Sequence, residues 1–165
     1  LKYLADTGRL DQVSRGVYTL PEVWEDEFVS IQERYKRGVF ALDTALFLHD
    51  LTDRTPHKFH MAFPYGYNTS SPKAAGILCS CKKEPYYSLG IALVDTPAGN
   101  TVRAYNAEKT LCEILKPISH TDIQIITDAF KRYAGRKDKN IPLLSEYAHQ
   151  LRVEKRLRPY LEVLL

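Results

Sequence analysis

The sequence predicts an α+β fold: a helix end with a β-hairpin first, then a small mainly antiparallel sheet, then several helices. Three observations lead there. Short stretches of alternating or continuous apolar residues, the signature of strands, are concentrated between His57 and Tyr105. From Asn106 to the end the apolar residues recur at helical spacing. Turn-forming stretches such as Asp95-Thr96-Pro97-Ala98-Gly99-Asn100 stand between the strand patterns. Strands in the middle and helices at the end are the arrangement of an α+β protein.

The elements follow in order. Leu1, Leu4 and Ala5 sit at helical spacing with Gly8 as a C-cap, and Arg9 to Leu20 reads as a hairpin turning at Ser14-Arg15-Gly16. Pro21 ends it. Glu25 to Tyr35 carries Phe28, Ile31 and Tyr35 on one helical face, and Gly38 breaks the pattern. Asp43 to Leu51 is nearly all apolar and is expected to be a buried helix. Phe59, Met61 and Phe63 alternate within His57 to Phe63, a strand stopped at Pro64. Gly66 to Lys73 reads as an exposed loop, and Ile77-Leu78-Cys79 as a further strand. Gly90 to Val94 and Thr101 to Tyr105 read as a hairpin pair. Asn106 caps a helix with Leu111, Ile114 and Leu115. Ser119 and Asp122 resemble a capping box before Ile123, Ile126, Phe130 and Tyr133, with Gly135 as the stop. Pro142 suits the first turn of the next helix. Pro159 is expected to start or kink the last one.

Composition narrows the function classes. With 44% hydrophobic and 26% charged residues over 165 positions, the chain fits one folded domain, or one domain plus a fragment. No apolar run approaches the ~20 residues of a membrane span. The first residues lack the pattern of a secretion signal, so a cytoplasmic location is expected. The chain begins at Leu1 and not at Met, so upstream residues are expected. Cys79, Cys81 and Cys112 are too few for a disulfide framework and point to reduced thiols. The net charge of +3 is unevenly spread: Lys131 to Arg158 holds nine Lys and Arg against three acids. Such a stretch attracts an anionic partner, and it equally suits a solvated helical face.

No constellation points firmly to catalysis. Cys79-x-Cys81 is one residue short of the usual zinc spacing and has no second pair, so strand-edge cysteines are the simpler reading. Cys81 beside Lys82 and Lys83 would be a candidate reactive thiol. His49 on an apolar face is more simply a hydrogen-bonded core histidine than a base. Asp43, His49 and Asp53 could be grouped as a metal-dependent nuclease, yet capping and loop roles explain the acids. No catalytic residue, metal or cofactor is assigned.

Arg15 at a hairpin tip after a helix matches the back half of a winged helix-turn-helix, whose wing touches backbone or minor groove. An ordinary polar turn residue fits as well. Four stretches together resemble the AbiEi-like family of type IV toxin–antitoxin antitoxins and transcriptional regulators. They are Gly8-Arg9-Leu10 with Val13 to Tyr18; Gly38-Val39-Phe40 with Thr44 to Pro56 and Phe63 to Asn68; Tyr105 to Ile114; and Leu144 to Ala148 with Leu151 to Val153 and Leu157 to Glu162. They run in the family's order over nearly the whole chain.

The resemblance implies residues 1–21 as the wing of a largely missing DNA-binding domain and 22–165 as a C-terminal antitoxin domain. It implies a non-enzymatic protein that represses its own operon and neutralises a nucleotidyltransferase-like toxin, without requiring a stable complex. Operator DNA would then meet Lys2, Arg9 and Arg15. Lys131, Arg132, Arg136, Lys137, Arg152, Lys155, Arg156 and Arg158 would form an antitoxin or nucleic-acid face. A palindromic operator would be met by a homodimer. The rivals are a plain operator-binding repressor and the nuclease grouping above.

Overall fold

The computed structural model describes residues 11–14, 17–19 and 26–164, with the side chains of 26–162. The expected helix end before Gly8, and the side chains of Lys2, Arg9 and Arg15, lie outside the described residues. The hairpin pairing lies within them. Strand β1 (Asp11–Ser14) pairs antiparallel with β2 (Val17–Thr19), with an irregularity between Gln12 and Ser14.

The body opens with helix α1 (Glu27–Arg34), whose start is fixed by Asp26. One carboxylate oxygen of Asp26 accepts from the Phe28 and Val29 amides. The other accepts from the Thr96 hydroxyl at 2.6 Å and the Asn100 amide at 2.9 Å, so the cap also holds a distant turn. Then come β3 (Val39–Phe40), α2 (Leu42–Leu48), β4 (His60–Pro64), the short α3 (Ser70–Ala74), β5 (Leu78–Lys82), β6 (Ile91–Asp95) and β7 (Thr101–Tyr105). The rest is helical: α4 (Ala107–Ile114), a 3₁₀ turn at Pro117–Ser119, α5 (Ile123–Ala134), α6 (Ile141–Gln150) and α7 (Glu154–Leu164).

The five strands form one sheet in the order β5-β4-β3-β7-β6. The β3–β4 and β6–β7 pairs are antiparallel, while β3–β7 and β4–β5 are parallel. The sheet is therefore mixed, not mainly antiparallel. Hairpin geometry joins only β6 to β7 directly; the parallel pairs need crossovers, which α3 and the stretch through α2 to β6 supply.

Alternation along the strands sorts side chains between two faces. Phe40, Met61, Phe63, Val102 and Ala104 pack with Phe28 and Tyr35 of the α1 region. Phe28 lies edge-on to Phe40 at 5.5 Å and against Phe59 at 4.9 Å. Val39, Ala62 and Tyr105 pack with Ala41 and Tyr87 in a separate cluster. The helical layer has its own core, from Leu111 and Leu115 through Phe130, Tyr133, Leu144 and Tyr147 to Leu157. Helix α2 serves both, with Leu48 in the sheet cluster and Leu46 in the helical one.

Gly38 is needed for packing: a Cβ there would lie 2.5 Å from Met61 Cε and 3.1 Å from the Phe63 ring. Gly90 combines φ +81° with an approach of 2.8 Å to Lys109 Cβ, which no side chain accommodates.

Several local expectations change. Gly66 to Lys73 is not loop throughout, because α3 begins at Ser70. Asp122 alone caps α5, accepting from the Gln124 amide, while Ser119 ends the 3₁₀ turn. Pro159 lies inside α7, five residues past its start at Glu154. No helix among the described residues is long and apolar enough to cross a membrane.

Candidate functional site

The C-terminal cations divide into engaged and unengaged groups. Arg136, at the end of α5, grips Asp138 with Nε and Nη2 at 2.8 Å each and donates Nη1 to the His49 carbonyl at 2.9 Å. All three directions of its guanidinium fork are used. Arg132 is held by Asp128 at 2.9 Å one turn earlier, with Asp53 at 3.9 Å. Both arginines line a cleft of about 710 Å³ whose other wall includes His49, Asp50 and Leu93.

The second group sits where α6 passes into α7. Helix α6 ends with the Leu151 amide on the Tyr147 carbonyl and the Val153 amide on the Ala148 carbonyl. This leaves Arg152 at φ +60°, a position that favours glycine. Arg152, Lys155 and Arg156 share a surface hollow of about 660 Å³ with His149 and Glu154. Glu154 is taken by His149 Nδ1 at 2.9 Å. Among the described residues, no acid lies within 4.0 Å of the charged nitrogens of Arg152, Lys155, Arg156, Arg158, Lys131 or Lys137. The Arg152, Lys155 and Arg156 side chains are exposed and gathered on one hollow. Lys131 instead borders a shallow depression beside Ile123 and Thr127. The eight cations expected as one face therefore meet in smaller sets.

The residues weighed for hydrolysis do not converge. Asp43 lines a cleft against β5, whereas His49 lines the α5 cleft. His49 Nε2 lies 2.7 Å from the Tyr105 carbonyl, so that nitrogen carries the hydrogen and donates. Burial lowers the pKa of His49, assisted by Arg136. It is a half-buried histidine at the cleft wall, not a core residue, and it joins the end of α2 to β7. Asp53 is exposed near Arg132. Cys79 and Cys81 carry free thiols on β5, and burial raises the pKa of Cys79. Among the described residues no group of three or more His, Cys, Asp or Glu is placed to hold a metal ion.

The most unusual group is Lys109, which the sequence marks only as an early residue of a capped helix. The Asn106 side chain caps α4 by accepting from the Lys109 amide at 2.8 Å. The Lys109 side chain is fully enclosed. Its Nζ donates to the Tyr86 and Leu89 carbonyls at 2.8 Å each and sits 3.8 Å from the Tyr105 ring centre. Glu113, one turn on, has Oε1 3.4 Å from Lys109 Nζ, an ion pair without hydrogen-bond geometry. Its Oε2 accepts from Lys82 at 2.6 Å. Burial pushes the Lys109 ammonium down to about 8 despite that neighbour. This network ties α4 to β5 and to the segment before β6, so it holds the fold. Glu108 likewise accepts from the Tyr133 hydroxyl, itself bonded by the Asn140 amide. The polar residues of the Tyr105 to Ile114 stretch act as fold determinants.

The chain matches no protein-family model and no curated protein sequence.

Proposed function

We propose that this chain acts by binding, as an AbiEi-like type IV antitoxin and autorepressor that neutralises a nucleotidyltransferase-like toxin. Residues 1–21 would be the wing of its DNA-binding part and 22–165 the antitoxin body. Within the body, the α6–α7 junction is the contact surface for an anionic partner. The observation that carries this is the gathering of Arg152, Lys155 and Arg156 on one hollow with, among the described residues, no acid within ion-pair reach of any of them. Exposed intramolecular pairs are worth little, but three cations beside the single carboxylate of Glu154 leave a positive surplus that raises the local potential toward an anion. The order of the four family-like stretches and the β1–β2 hairpin support the same reading. Arg132 and Arg136 leave the proposed face, because Asp128, Asp138 and the His49 carbonyl already hold them.

The test is a triple variant, R152Q/K155Q/R156Q, in the longest available chain. Co-expressed with the toxin encoded beside it, the variant should rescue growth poorly while accumulating normally. Undiminished rescue defeats the assignment. On the duplex upstream of its own gene, loss of three phosphate contacts would lower the salt slope of binding by about 2–3. A neighbouring gene with no nucleotidyltransferase character would favour the plain repressor.

A further inference from the structure

A second large cleft, of about 870 Å³, opens beside β5 at the other end of the sheet order from β6. It shares no lining residue with the α6–α7 hollow. One wall is the 76–82 segment containing β5, another the stretch after α4 from Lys116 to His120. Among the described residues, strand β5 is paired only with β4. Leu78 donates to the Phe59 carbonyl and Lys82 accepts from the Tyr65 amide. In a parallel ladder alternate residues bond to the same neighbour, so Cys79 and Cys81 turn their amides to the open edge.

The charges of this cleft do not balance. Lys58, Lys73, Lys82 and Lys116 line it against Asp43 and Glu113, a surplus of two positive charges with the histidines neutral. Glu113 is already shared by Lys82 at 2.6 Å and the enclosed Lys109 at 3.4 Å. Asp43 forms no ion pair with any of the four lysines. Lys116 is half-buried near Lys82 with no carboxylate in ion-pair reach among the described residues. The Lys82 side chain is only 19% exposed, recessed where the flat surface of a macromolecule does not reach.

We propose that this cleft binds a small ligand bearing a phosphate group. A phosphate dianion matches the surplus of two charges, and its oxygens accept from ammonium groups and open-edge amides together. The volume lies within the roughly 300–1,000 Å³ of small-ligand pockets. Leu78 and Ile118, both exposed and lining the cleft, offer contact to the carbon part of such a ligand. The pKa of Lys116 is lowered by burial and by Lys82, a strain that an entering anion relieves.

The test uses phenyl phosphate as the probe, titrated into the ¹⁵N-labelled 165-residue chain at low salt. Saturable shifts should centre on amides of 76–82 and 116–120, complete by roughly 10 mM. K116Q and K73Q should each weaken binding about threefold to tenfold, and K36Q, outside the cleft lining, should not. Lys116 and Lys73 are chosen because neither forms an ion pair among the described residues, and unchanged thermal melting will show the variants folded. A response that never saturates, shifts centred on α6–α7, or unaltered affinity in K116Q would each overturn the proposal. A single-stranded oligonucleotide with only internal phosphates is the second probe. If it displaces phenyl phosphate and binds more tightly with length, the cleft belongs to a nucleic-acid track and the small-ligand proposal fails.

Discussion

Replacing Lys109 by Met tests whether a fully buried cation holds α4 against the segment before β6. Met keeps most of the apolar stem and removes the ammonium. Two charged hydrogen bonds at 2.8 Å are lost, to the Tyr86 and Leu89 carbonyls, together with the contact to the Tyr105 ring. Hydrogen bonds to charged groups are worth about 1.5–3 kcal/mol each. Some of that is already offset by the cost of keeping the ammonium away from water. Glu113, 5% exposed, is left with Lys82 alone. Breaking one partner of a buried pair costs about 3–5 kcal/mol, and that range is expected for K109M. A domain of this size has about 5–15 kcal/mol in all, so the variant should lose about a fifth of its stability or more. Urea denaturation at pH 7, followed by far-UV circular dichroism, measures it. The double variant K109M/E113Q should cost less than the sum of the single changes by about 1–2 kcal/mol, since both remove the same ion pair. A K109M midpoint within about 1 kcal/mol of the parent, or strict additivity in the double variant, would refute the account.

Three further outcomes are expected. His60, whose Nε2 lies 2.6 Å from Ser80 Oγ, is lowered to about 4 by burial and by Lys82. Between pH 6.5 and 4 the unfolded chain therefore binds a proton that the native one refuses, so stability rises with pH through this window and is complete above it. The drop on acidification should be roughly 3 kcal/mol; melts of H60Q, which keeps a polar atom near Ser80, should show a shallower pH slope, and an equal slope would count against the mechanism. G38A should cost about 1–3 kcal/mol by pressing on Met61 and Phe63, read as a lowered urea midpoint, and the same change should cost less in an M61A background. R136Q should lower the melting temperature by frayed contact between α5 and α2, with a cost of about 1–2 kcal/mol, while toxin rescue per folded protein stays unchanged; lost rescue at full stability would return Arg136 to the contact face.

Legibility in the sequence followed the range of the interaction. Asn106 as a cap, Pro142 in the first turn of α6 and Gly90 to Tyr105 as a hairpin are all present in the structure. So is the shared face of Phe59, Met61 and Phe63. Each depends on neighbours within a few residues, where backbone geometry and hydrogen bonding leave few choices. Pro159 does not start the last helix but lies inside it: Tyr160 stacks on Phe130 at 4.4 Å and Leu157 is buried, and this packing keeps the segment helical around a residue disfavoured there.

The order β5-β4-β3-β7-β6 and its two parallel pairs arose only in three dimensions, because pairing of distant strands is chosen by which faces must be buried together. The roles of the cations did too. Composition identified a basic C-terminal region, but it did not separate Arg136, clamped by Asp138 and a carbonyl, from Arg152, left open beside Lys155 and Arg156. Nor did it place Lys109 in the core or Lys116 in a cleft. Charge is carried by the residue, whereas its energy depends on what stands within a few ångströms and on how much water remains, and both are properties of the folded chain.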